Sequence, residues 1–194
     1  MKHISPEIAT DFKSTFLSCE KDQETIWKKL FLQNEPYSEY LKRLLIINNP
    51  DCLDTTNQAY REQVNKYHLH DLMNKDYLRV VPKFELKEHE DMKSYILLEF
   101  DDFVPSKNPE FRNGVISFSI ISHLDTWKLD DYKLRPYQIA GYIDGIMDRS
   151  KLSGIGTLRF LGSSEFVLNE FLGGIMLRYV ATHSTDDIGE LTDD

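Results

Sequence analysis

Cysteine is nearly absent from this chain: its 194 residues hold two, Cys19 and Cys52. That is too few for a disulfide framework, and neither sits in a CxxC pair of the kind that binds zinc or carries redox chemistry. A reducing compartment is the expected setting. Long apolar runs are missing as well. No stretch approaches the roughly eighteen residues of a membrane span, and Met1-Lys2-His3 leads into a polar, proline-containing segment rather than a signal-peptide core. A soluble, cytoplasmic protein is expected. Basic residues are in deficit, 23 Lys and Arg against 32 Asp and Glu, for a formal charge of -9. Binding to a phosphate backbone draws on clustered Lys and Arg that release counterions, so nucleic acid is not an expected partner. What remains is ordinary globular composition, 41% hydrophobic and 28% charged, on a chain long enough to bury a core without metal or disulfide staples.

The acidic excess is unevenly placed. Residues 184–194 carry Asp186, Asp187, Glu190, Asp193 and Asp194 with no basic residue, which leaves -4 for the rest. Such a run reads as a solvated, disordered tail. Residues 1–77 read as a helical region. Ser5-Pro6 forms a cap and first turn, with Ile8, Phe12 and Phe16 on one face. Ile26, Trp27, Leu30 and Phe31 make a second apolar stripe, and Tyr40, Leu41, Leu44, Leu45 and Ile47 a third that Asn48-Asn49-Pro50 stops. Thr55 to Asn74 is polar, anchored only by Tyr60, Val64, Tyr67 and Leu72, and reads as a weakly buried helix or an irregular connection.

From residue 78 the period changes to two. Leu78 to Leu86, interrupted by Pro82, suggests an edge strand. Ser94 to Phe103 sets Ile96, Leu98 and Phe100 against Tyr95, Leu97, Glu99 and Asp101, and Val115 to His123 repeats the alternation. Val104 to Gly114, with Pro105, Asn108, Pro109 and Asn113, reads as an extended functional loop. A helix with Pro136 in its first turn is expected from Leu134 to about Arg149. Strands at Ile155 to Gly162 and Gly174 to His183 follow, with Ser163 to Asn169 as either an extension or a turn. The expected class is α+β: an antiparallel-rich sheet, strand-strand-helix-strand-strand, packed against helix and preceded by the helical region. The implied division is 1–77, 78–183 and the tail 184–194.

Chemical sites are hard to assemble. His68 and His70 near Asp71 suggest metal, but residues two apart on a helix face different ways, whereas ligand pairs sit four apart. Glu99, Asp101 and Asp102 end one strand and His123 and Asp125 the next, which with Glu85-Leu86-Lys87 offers the elements of a metal-dependent nuclease. Carboxylates at strand ends more often mark the meeting with water. No GxSxG elbow occurs, and Gly154-Ile155-Gly156 precedes a strand rather than a helix, so no nucleophile or dinucleotide fingerprint is present. Neither an enzyme nor a metal or cofactor is expected.

The helix near residue 140 is more informative. Ile139, Ala140, Ile143, Ile146 and Met147 form its inward stripe, which places Gly141 and Gly145 on the outward one. An interior helix glycine costs about 1 kcal/mol relative to alanine. Close approach of a second backbone, as from a neighbouring subunit, is one reason to keep two of them; tolerance or a local bend is the other. Phe103, Phe111, Trp127, Tyr132, Tyr137 and Tyr142 lie outside clean core stripes and are of the type that anchors interfaces.

Residues 115–127 (VISFSIISHLDTW), 134–144 (LRPYQIAGYID) and 152–158 (LSGIGTL) resemble small neck proteins of tailed bacteriophages of low-GC Gram-positive hosts, in particular the tail terminator, or tail-completion, family. The resemblance covers roughly Ser94 to His183 and consists of pattern, not of a catalytic signature. It implies a sheet-plus-helix fold and a structural protein of the virion. Such a protein assembles in the host cytoplasm as a ring, usually hexameric, that caps the tail tube protein and meets the head-completion or connector protein. The resemblance brings no catalytic residues. Its ring contacts would involve the strands from Ser94 and Val115 and the helix face bearing Gly141 and Gly145, with 104–114 as its long inter-strand loop; with the aromatic anchors added, the expected interface is Gly141, Gly145, Tyr137, Tyr142, Trp127 and Phe111. The helical region is larger than a minimal terminator needs, which keeps a head-completion role open. A metal-dependent nuclease and a phage-encoded protein that binds a host target are the alternatives from other classes.

Overall fold

A computed structural model describes residues 15–81, 92–105, 111–153 and 155–184. Ser5-Pro6, Ile8, Phe12, Glu85 to Lys87, Asn108, Pro109 and the acidic residues beyond Ser184 lie outside the described residues.

Among the described residues the helical region contains four helices. In α1 (Thr15–Phe31) the stripe Ile26, Trp27, Leu30 and Phe31 is buried, and in α2 (Tyr37–Ile46) so are Leu41, Leu44 and Leu45. A spacing of three to four keeps these positions on one side of a helix, which buries them together. The stretch 55–74 forms two short helices. α3 (Gln58–Asn65) starts at Asn57, whose side chain accepts the Tyr60 N–H. α4 (Leu69–Asn74) starts at His68, whose backbone N–H donates to the Asp71 carboxylate at 2.8 Å. Each has one fully buried anchor, Val64 and Leu72.

Among the described residues the sheet has five strands in the order β1-β2-β3-β7-β6. β1 (Leu78–Arg79) pairs in parallel with β2 (Ser94–Pro105), opposite Ile96 and Leu97. The edge strand expected over Leu78 to Leu86 is thus two residues long among the described residues. β2 and β3 (Phe111–His123) form a long antiparallel pair that continues through Val104↔Asn113 and Pro105↔Arg112. This corrects the expected extended loop 104–114, because the ladder survives a bulge between Asp101 and Val104. Asp102 sits there in the left-handed region at φ 51°, and Pro105 comes only at the end of its strand. A 3-10 turn, Leu124–Thr126, leads to α5 (Arg135–Met147), whose second residue is Pro136. A small hairpin of β4 (Lys151–Leu152) and β5 (Gly156–Thr157) comes next. The strand expected from Ile155 therefore begins only with β6 (Arg159–Val167), which absorbs Ser163 to Val167. β7 (Leu172–Ser184) inserts between β3 and β6.

One face of the sheet carries Ile96, Leu98, Ile116, Phe118, Ile120, Ile175, Leu177 and Tyr179, all buried. α2 packs against β2, and α5 against β3 and β7. These side chains and those of α1, α2, α3 and α4 belong to one continuous core. The architecture is α+β, a mostly antiparallel sheet under helices. Its other face is polar along the middle. Ser119 donates to Glu99 at 3.1 Å, Ser117 to Asp101 at 3.3 Å, and Arg178 to Asp102 at 3.3 Å. A smaller apolar group of Tyr95, Ile121 and Leu172 lies at the end near His123.

Two close constraints bind these parts together. Arg135 is fully buried, and among the described residues its hydrogen bonds reach no carboxylate. Its Nη1 donates to the carbonyls of Leu44 and Ile47 at 2.6 and 2.7 Å, its Nη2 to those of Asn48 and Asn49 at 2.9 and 3.2 Å, and its Nε to that of Thr126 at 2.8 Å. The guanidinium thereby caps the negative end of α2. Between Lys128 and Leu134 a tight turn places Asp131 at φ 57° and Tyr132 at φ 60°, with Lys133 N–H bonded to the Asp130 carbonyl. Tyr132 stands wholly in solvent.

Candidate assembly surface

The outward face of α5 matches the register expected from its sequence. Ile139, Ala140, Ile143, Ile146 and Met147 are buried, while Gly141 and Gly145 are exposed, and a Cβ on either would meet no atom within 4 Å. Nothing among the described residues therefore requires glycine there. Aromatic side chains flank this bare strip. On the α2 side Tyr142 stacks on Tyr40, with centroids 5.6 Å apart at 29°, and Tyr37 tilts against it at 6.0 Å. Burial pushes the Tyr142 hydroxyl above its ordinary pKa, with the neighbouring tyrosines adding to the effect. On the β6 side Tyr137, half exposed, donates to Glu165 at 2.8 Å. The Asp148 carboxylate, just past α5, accepts the Phe160 N–H at 3.1 Å, and Asp144 accepts the Tyr179 hydroxyl at 2.7 Å.

The structure thus brings Gly141, Gly145, Tyr137 and Tyr142 together on one surface. It separates the other two expected anchors from them. Trp127 is only partly exposed; its Nε1 donates to the Ser122 carbonyl at 3.3 Å, and its ring lies over Gly173, where a Cβ would come within 3.2 Å of Cζ2. It seals the end of the sheet. Phe111 opens β3, five residues or about 17 Å of extended strand before Ile116, the partner of the Tyr179 that bonds Asp144 of α5.

The most exposed apolar edge was not foreseen from sequence. β6 leaves Phe160 46%, Leu161 54% and Val167 64% exposed, and Leu168 beyond it 47%. A bulge between Phe160 and Gly162 leaves Leu161 without a partner on β7. The adjacent pair Phe160-Leu161, which breaks an alternating pattern, is the one sequence signal of this edge.

No catalytic cluster forms among the described residues. No group of three or more His, Cys, Asp or Glu side chains is placed to hold a metal. Glu99 and Asp101 are engaged by serines on β3, and His123 lies opposite Lys93, six residues of strand or about 20 Å from Glu99. His68 and His70 are exposed, and His68 serves as a helix cap. Cys52 is buried beside Arg135. Burial raises its thiol pKa, and the guanidinium draws it partly back. No helix among the described residues is long and apolar enough to cross a membrane.

Among known proteins, no curated sequence matches this chain. A chain from the virion of a native gene transfer agent particle is similar at 18% identity, over 58% of this chain and 81% of that one, with a TM-score of 0.40. The YomW family model matches residues 38–181, which runs from the first turn of α2 into β7 as far as Ala181 and takes in α5 and β1 to β6. The chain belongs to the YomW family.

Proposed function

We propose that the protein is a non-enzymatic structural component of a tailed-phage virion, assembling with copies of itself into a ring at the head-tail neck. There it caps the tail tube and meets the head-completion complex. The observation that carries this reading is the exposed face of α5 with its two bare glycines together with the apolar β6 edge, neither of them covered by any of the described residues. Exposed apolar surface rimmed by polar groups marks association. The segments that resemble tail terminators fall on β3, on α5 and on the β4–β5 hairpin, so they coincide with the sheet and with the helix that bears this surface. The test is the particle mass by light scattering, with negative-stain microscopy, alone and with tail tubes. Rings support the reading, and monomers under both conditions refute it.

A further inference from the structure

The two edges of the sheet differ in a way that fits one to the other. At the β6 edge Phe160 and Leu161 are exposed, and the start of the strand is flanked by exposed Arg149, Lys151 and Arg159. At the opposite edge β2 is paired on its outer side, among the described residues, only at Ile96 and Leu97. Beyond that pairing an open groove of about 600 Å³ runs between α1 and β2. Val80, Leu98, Phe100 and Phe103 give it apolar walls, while Glu20, Glu99 and Asp101 make its rim acidic. One edge therefore offers apolar knobs beside positive charge, and the other an apolar slot beside negative charge.

We infer that the β6 edge of one copy seats in the groove beside β2 of the next, with Phe160 and Leu161 entering between Val80, Leu98 and Phe103 and Arg159 meeting Glu99 and Asp101. The inference rests on the ring reading and names the surfaces that make the ring. The partner is a second copy of this chain because both halves of the match, apolar and charged, are present on the same subunit at opposite ends of the sheet. A contact between two different patches is heterologous: it propagates head to tail and closes when the rotation per subunit permits. An exposed strand edge is also a ready template for pairing. The bulge at Leu161 limits that pairing to a short segment and turns it away from unlimited sheet growth.

The experiment uses full-length Leu161→Asp, which disables the β6 edge, and Val80→Asp, which disables the groove. Both positions are exposed, so melting curves should match wild type. Each variant alone is expected to give monomer where wild type gives rings. An equimolar mixture should give a dimer of twice the protomer mass, since each variant keeps the edge the other lacks. Arg159→Glu and Asp101→Arg should each weaken assembly, and the double variant should restore it; this pair decides the matter if Val80→Asp folds poorly. Rings of wild-type mass in Leu161→Asp and Val80→Asp would remove this pairing and leave the ring reading standing. A mixture that stays monomeric overturns the head-to-tail contact. A wild type that is monomeric at every concentration, with or without tail tubes, overturns both.

Discussion

Replacing Arg135 by methionine tests the central packing argument. The side chain makes five hydrogen bonds to backbone carbonyls, four of them at and just past the end of α2, from a position with no solvent exposure. Burial lowers the pKa of the guanidinium, yet it has no competing use for its protons and stays charged. Hydrogen bonds from a charged donor contribute roughly 1.5–3 kcal/mol each after exchange with water, and holding the cation away from water costs several kcal/mol. Methionine removes that desolvation cost but leaves carbonyls buried without donors. A net loss of about 3–5 kcal/mol follows, by analogy with removing one partner of a buried ionic network. Domains of this kind hold about 5–15 kcal/mol in total, so the urea midpoint should fall by more than about 1 M at unchanged slope. Arg135→Lys should fall between, because one ammonium cannot reach both the α2 carbonyls and Thr126. A loss below about 1 kcal/mol for Arg135→Met would refute the view that this residue holds α2 against α5.

Gly145→Ala should raise monomer stability by up to about 1 kcal/mol, since a Cβ there meets nothing; thermal melting checks this, and destabilisation would place the glycine inside the fold. Gly174→Ala should do the reverse and abolish cooperative unfolding, because its Cβ would fall 1.7 Å from the Ile120 carbonyl oxygen. Circular dichroism melting distinguishes the two outcomes. Tyr179 is buried and bonded to Asp144, and burial first and that bond second hold its pKa well above the ordinary 10.0. Its unfolded form ionises first, so the stability it contributes is complete below pH 10 and is lost as pH rises beyond it. Urea midpoints between pH 8 and 11.5 should fall more steeply in wild type than in Tyr179→Phe. Equal slopes would exclude that linkage.

Helix faces were readable because their signal is local. The spacing of Ile139, Ala140, Ile143 and Met147 is enough to place Gly141 and Gly145 outward, whatever the rest of the chain does. Features set by distant partners were not. Proline and asparagine between Val104 and Gly114 read as loop, yet the ladder begun at Ser94↔Ser122 carries Val104 and Pro105 into register past a bulge. Two-residue β1 owes its existence to its parallel neighbour, which no periodicity announces. Edge strand β6 is exposed on both faces and so lacks the alternation that marks a half-buried strand. Nothing in the local sequence singles out Arg135 at the start of its helix; only the folded chain shows carbonyls 86 to 91 residues upstream converging on it. The outward placement of Gly141 and Gly145 on one helix was therefore legible, while where Trp127 and Phe111 sit depends on the path of β3.

The turn at Asp131 and Tyr132 has a practical consequence. Two consecutive left-handed residues without glycine cost about 1–2 kcal/mol each, more readily tolerated by aspartate than by tyrosine. Strain of that size, held by few bonds, makes the turn a place where amide exchange and local opening begin before the core loosens. Tyr132 is also a fully accessible aromatic residue of the kind chymotrypsin cleaves after. Brief digestion should nick the chain between Tyr132 and Lys133, and the nicking rate, measured on isolated subunits and on assembled particles, reports whether this hairpin is covered when copies come together.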